Sequence, residues 1–246
     1  VHPNAITILS IFLGVGAGWM FHYPDLESNI WGVVLLMFAN FCDSTDGQLA
    51  RLTGKKTLVG RVLDGFSGDL WFVAIYIGIV VRMWNEPIPF LGDVTWSFYL
   101  LIICFWAGFG CHSPQSSLAD YYRQIHLFFL LGKKGSELDD SASQMKKYEE
   151  LTWTGNFIGK LFFKNYAAYC RSQEKRTPKF QKFYKEVRER YPDAEQIPQE
   201  LRDKFRQGSL PLMKYTNLLT FNSRAIIIYI TCLAGVPYIY PIIEMT

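Results

Sequence analysis

Ile30-Trp-Gly-Val-Val-Leu-Leu-Met-Phe-Ala-Asn-Phe-Cys42 runs without a break into Asp43-Ser-Thr-Asp46-Gly47-Gln-Leu-Ala50-Arg51. The first part is mostly apolar and helical in composition, but it rises only about 20 Å as a helix, short of the roughly 30 Å of bilayer hydrocarbon. To cross a membrane it must borrow the acidic stretch that follows. Charged groups at membrane depth are expensive and mark function. The same pattern recurs at once: the run Leu70–Val81 completes a span only with Val59–Asp69, which brings in Asp64 and Asp69. Two neighbouring membrane helices that carry carboxylates at one end decide the fold class, an all-α integral-membrane bundle.

Outward from that pair, Ala5–Met20, Val94–Cys111 and Ala225–Ile243 are further apolar runs, the last interrupted by Pro237 and Pro241, so five spans are expected. Arg51, Lys55, Lys56 and Arg61 lie between the second and third, whereas His22–Ser28 and Trp84–Asp93 hold acids but no Lys or Arg. The basic side belongs in the cytoplasm. The 246 residues are half apolar with formal charge +3, but residues 133–213 hold 17 of the 25 Lys and Arg. The expected organisation is residues 1–132 as four spans with the acidic motif, 133–213 as a basic cytoplasmic helical insert, and 214–246 as the C-terminal membrane segment. Within the insert, Lys160–Gln173, Thr177–Tyr191 and Gln199–Gln207 read as helices, with Phe180, Phe183, Tyr184 and Val187 along one face. That cationic, aromatic surface could rest on anionic headgroups or stand free in solvent. Five cysteines without metal-ligand spacing read as buried thiols.

Asp43, Asp46, Gly47, Ala50 and Arg51 share one helix face, and Asp64 follows Gly60 by one turn. Carboxylates converging from two helices form a hard oxygen site suited to Mg2+ or Mn2+, ions that bind diphosphates. The run Asp43-Ser-Thr-Asp46-Gly47-Gln-Leu-Ala50-Arg51, eight residues, then Gly60-Arg-Val-Leu-Asp64 resembles the signature of the CDP-alcohol phosphotransferase family, and Val1-His-Pro-Asn4 resembles its usual opening. One position departs. The family's last Asp should follow Asp64 by four residues, where this chain has Gly68, and the carboxylate is Asp69. On a regular helix Asp69 points about 140° away from Asp64. A one-residue bulge among Gly65, Ser67 and Gly68 would re-aim it; otherwise it is an ordinary helix-face carboxylate.

The resemblance implies a six-helix bundle, here with its last helix cut short, and an enzyme of phospholipid synthesis. A hydroxyl of a polar alcohol attacks a CDP-activated lipid, CDP-diacylglycerol by preference, and releases CMP. Inositol phosphate or glycerol phosphate is the favoured acceptor. Asp43, Asp46 and Asp64 would be the metal ligands, Gly47, Ala50, Arg51 and Gly60 the nucleotide contacts, and Asp69 the displaced base. Arg61 and Arg123 could grip an acceptor phosphate, and His126 beside Arg123 reads as structural. The expected location is the cytoplasmic membrane of a bacterium, active site inward, among membrane lipids, as a homodimer and without nucleic acid. A UbiA-like prenyltransferase or a cation or proton transporter using intramembrane aspartates remains an alternative.

Overall fold

A computed structural model describes residues 2–54, 58–132, 136 and 138–246, with the backbone alone at 58, 59, 61 and 62. Lys55 and Lys56 and the Arg61 side chain therefore lie outside the described residues. The protein is all-α and forms two compact units, one of residues 1–114 with 221–246 and one of Gln115–Thr220.

The first unit begins with α1 (Pro3–Phe21), α2 (Leu26–Thr53) and α3 (Leu58–Met83). Asp25 caps α2 by accepting from the Ser28 N–H at 2.8 Å, and Gly54 ends it in the left-handed conformation at φ 66°. At the far end of α3 the Arg82 guanidinium donates to Asn29 Oδ1 at 2.9 Å, while the Asn29 amide donates to the Tyr23 carbonyl at 3.0 Å. That latch joins the start of α2 to the end of α3, opposite the acidic ends. Packing between α1 and α3 is glycine-mediated: a Cβ on Gly18 would lie 2.5 Å from the Ala74 carbonyl carbon, and one on Gly78 would strike the Gly18 carbonyl oxygen. Small residues allow backbones this close, the usual basis of helix association in lipid.

α4 (Ser97–Phe105) passes into a π-helical turn (Trp106–His112) and then α5 (Ser113–Leu131). Pro114 supplies the cause. It has no N–H for the carbonyl four residues back, and its ring crowds that turn, so the backbone widens just before it. α10 (Phe221–Leu233) and α11 (Ile239–Glu244) complete the unit, separated by the break at Gly235 and Pro237. Among the described residues, three helical stretches are long and apolar enough to cross a membrane: Pro3–Phe21, Leu63–Met83 and Ser97–Leu131. Five were expected. α2 falls short because its apolar run gives way to carboxylates after Cys42, and the C-terminal run because its proline break divides it into helices of 13 and 6 residues.

In the second unit, α6 (Ser141–Glu150), α7 (Trp153–Arg176), α8 (Pro178–Arg190) and α9 (Gln199–Leu218) accompany residues 115–131 of α5. Phe180, Phe183, Tyr184 and Val187 pack on Tyr121, Ile125, Phe128 and Phe129, so the amphipathic face of α8 becomes a core. His126 Nδ1 lies 2.7 Å from Ser209 Oγ.

Asp140 caps α6. Its carboxylate accepts from the Ser143 N–H and hydroxyl, each at 2.8 Å, and Arg188 lies 3.5 Å away. Burial pushes this carboxyl up, but the Ser143 donors and the Arg188 charge outweigh it, and the net value lies below the ordinary 3.8. A depressed acid stabilises the folded state above its unfolded pKa, and the contribution is lost as pH falls through the folded value. Protection of the Ser143 amide from hydrogen exchange, corrected for intrinsic rate, is therefore expected to collapse below pH 3.8. Asp140→Ala should remove that step and lower stability by about 1 kcal/mol.

Candidate metal and nucleotide centre

The carboxylates of Asp43 and Asp46 on α2 and Asp64 on α3 converge, one oxygen of each lying within 4.8 Å of the other two. Helical periodicity places Asp43 and Asp46 on the face of α2 that meets α3. Ser67 fixes the crossing: its hydroxyl lies 2.9 Å from Asp43 Oδ1 and 2.8 Å from the Asp64 carbonyl oxygen.

Asp46 is only 3% exposed, and its Oδ2 meets no hydrogen-bond donor among the described residues. A buried carboxylate oxygen left without a donor is strongly disfavoured unless something cationic or a proton meets it. Two unit charges at this spacing repel by roughly 3 kcal/mol at an effective dielectric of about 20. Three carboxylates, graded from buried Asp46 through half-buried Asp43 to exposed Asp64, fit a hard divalent cation entered from the Asp64 side.

Gly47 and Arg51 lie one turn apart on α2, and a Cβ at Gly47 would come 3.7 Å from the Arg51 guanidinium. Arg51 is exposed, and Ala50 and Gly60 are half-buried beside the same helix ends. Gly65 and Gly68 border open space, with nothing within 4 Å of a Cβ at either. Asp69 does not join the cluster. α3 is regular through Gly65–Asp69, the re-aiming bulge is not formed, and the π turn of this fold lies at Trp106–His112 instead. Asp69 thus keeps its offset of about 140° from Asp64. Arg123 belongs to the second unit, where its guanidinium lies 3.5 Å from Asn217 Oδ1.

The sequence reading missed a buried polar group in the first unit. His112 Nδ1 lies 3.2 Å from Glu244 Oε1, Arg224 Nε lies 2.8 Å from the same oxygen, and the Tyr240 hydroxyl donates to Glu244 Oε2 at 2.9 Å. The available signal was an acid and a base at the two ends of the last apolar run.

Residues 1–112 match the family described as CDP-alcohol phosphatidyltransferase. A segment of 79 residues is 43% identical to an uncharacterized protein of Aquifex aeolicus, covering 30% of this chain and 39% of that one. Over 81 residues the chain is 32% identical to archaetidylinositol phosphate synthase of Pyrococcus horikoshii, covering 33% and 42%. Over 103 residues it is 27% identical to a putative cardiolipin synthase of Mycobacterium tuberculosis, covering 41% and 43%. No solved structure matches. The chain spans about two fifths of the length of the curated relatives it matches. The segment that resembles the CDP-alcohol phosphatidyltransferase family, residues 1–112, contains all three clustered carboxylates.

Proposed function

We propose that the protein makes a phospholipid by transferring a phosphatidyl-type group from a CDP-activated lipid, CDP-diacylglycerol by preference, to a polar alcohol. The observation that carries this reading is the convergence of Asp43, Asp46 and Asp64, with the Asp46 oxygen lacking a donor, inside the family match. The three carboxylates would hold Mg2+ or Mn2+, which when bound neutralises charge on the diphosphate. Gly47 leaves room for the nucleotide, Ala50 and Gly60 keep the two helix ends slim around it, and exposed Arg51 offers its guanidinium to a phosphate. The acceptor hydroxyl oxygen bonds to the β-phosphorus as the bond to CMP breaks. CMP leaves with the electron pair, and the hydroxyl proton passes to the Asp69 carboxylate. Arg61 is the proposed contact for a phosphate on the acceptor, which favours inositol phosphate or glycerol phosphate. The basic residues Arg51, Lys55, Lys56 and Arg61 favour a cytoplasmic side for the centre.

The test is calorimetric and chemical. CDP with Mg2+ should raise the unfolding temperature of the purified chain saturably, by about 2.7 kcal/mol of stabilisation at one hundred times Kd, and CDP-diacylglycerol with the right alcohol should release CMP. Stabilisation by cations alone, indifferent to CDP, would favour a transporter and overturn the reading. Asp69 has its own test. Asp69→Asn should cut CMP release by about 100-fold. Because Gly68 borders open space, adding Gly68→Asp to that variant should restore much of the loss. Full activity of Asp69→Asn would remove it as the proton acceptor.

A further inference from the structure

The aromatic side of α8 is spent on the core of the second unit, but α7 keeps one side exposed. Its inner side is in use: Ala167, Cys170 and Gln173 are buried, and the Gln173 amide donates to the Ser117 carbonyl at 3.0 Å. On the outer side Phe157, Ile158 and Leu161 stand at offsets 0, 1 and 4. Trp153 lies just before a break in the helix, where Gly155 takes φ 89°. These four side chains are between 44% and 60% exposed, and the Trp153 and Phe157 rings lie 5.8 Å apart. Large apolar side chains grouped in this way on one surface mark a place of contact.

Charge distinguishes the partner. From Leu151 to Gln173 the chain has Lys160, Lys164 and Arg171 and no Asp or Glu. Lys164 and Arg171 are exposed and follow Phe157 by seven and fourteen residues, so they extend the same face. Lys160 Nζ donates to the Leu151 carbonyl at 2.6 Å and lies 4.4 Å from the centre of the Tyr148 ring, which holds its charge beside the aromatic group. Apolar and aromatic side chains edged by cations, with no anion among them, match the headgroup layer of a bilayer that contains anionic lipid. Attachment favours the same partner. The second unit is joined to the first at both ends, through Pro114–Gln115 and Thr220–Phe221, so a bilayer is always within its reach.

We propose that this face of α7 is a membrane-docking surface. Trp153, Phe157, Ile158 and Leu161 enter the headgroup region of an anionic bilayer, and Lys164 and Arg171 reach its phosphates along their alkyl stems. Lipid contact thereby falls to α7 rather than to α8, whose aromatic face packs on α5. Docking requires that the first unit be a membrane bundle and is independent of the chemistry at the carboxylates.

Hydroxyl-radical footprinting of the full chain, one copy per lipid nanodisc, tests this. Oxidation of Trp153 and Phe157 should be fast in discs of phosphatidylcholine and about 10-fold slower when roughly a third of the lipid is phosphatidylglycerol, and high salt should reverse the protection. Lys164→Glu with Arg171→Glu should return both residues to the phosphatidylcholine rate, since each cation near an anionic surface is worth about fivefold in docking. Phe157→Ser with Ile158→Ser should likewise free Trp153, while the unfolding temperature in phosphatidylcholine discs stays nearly unchanged because the core is untouched. Oxidation that is fast in both lipids means that the face stands in solvent. Oxidation that is slow in both, or slowed only when a disc holds two copies, means that protein covers it. Each of these results overturns the proposal. CMP release is read in no arm, so failure here leaves the transferase reading standing, and failure of that reading leaves the docking surface in place.

Discussion

Asp46→Asn is expected to abolish CMP release, by at least about 1,000-fold, while making the metal-free protein more stable by roughly 1–2 kcal/mol. The two effects share one cause. Asp46 is the most buried of three carboxylates within 4.8 Å, with an oxygen that no described donor meets. In the absence of a cation, replacing it by a neutral amide relieves repulsion with Asp43 and Asp64 and supplies a donor where only acceptors stood. In the presence of Mg2+ the order should invert, because the unaltered chain gains ligand stabilisation that the variant forgoes. Unfolding temperatures with EDTA and with Mg2+, read beside CMP release, check both signs. A variant that keeps its activity and loses stability under both conditions would show that Asp46 serves packing alone.

Gly78→Ala is expected to be severely damaging, destabilising by about 3 kcal/mol or preventing assembly of the bundle. The added Cβ falls on the Gly18 carbonyl oxygen, which is backbone and cannot swing aside. Relief requires α1 and α3 to move apart, which strips Trp71 from Gly14 and Ala74 from Gly18 along the same seam. Gly65→Ala is the matched control on the same helix. Nothing lies within 4 Å of its Cβ, so it should gain up to about 1 kcal/mol from helix propensity. Unfolding of both variants in one detergent separates steric collision from a general effect of glycine replacement. Equal stability of the two would refute the close-packed seam.

The carboxylate cluster was legible in the sequence because local periodicity determines it. Asp43 and Asp46 are one turn apart, and a short connection returns Asp64 to the same membrane depth. For Asp69 the sequence left open a bulge that would re-aim it, and only the regular course of α3 decides for the offset of about 140°. The meeting of His112 with Glu244 was not legible. His112 and Glu244 are separated by more than half the chain, and nothing local to either selects the other. The C-terminal span misled because apolar content reports burial rather than continuity, and Gly235 with Pro237 breaks a run that composition joins. In the insert, the helix expected over Gln199–Gln207 continues to Leu218, past Pro211. Proline removes one hydrogen bond from a helix interior, and the remaining bonds of this helix carry it past that point.

α3 carries Asp64 and Ser67 toward one set of neighbours and Asp69, Phe72 and Tyr76 toward another. A rigid helix behaves mechanically as a shaft with two cams set 140° apart. Any twist of it displaces both cams by the same angle, so an event that turned α3 at the Asp64 end would be transmitted to the Glu244 end as torque. Whatever seats the diphosphate would in that case also set the angle at which the second carboxylate is presented, and timing between the two would be built into a single piece of backbone.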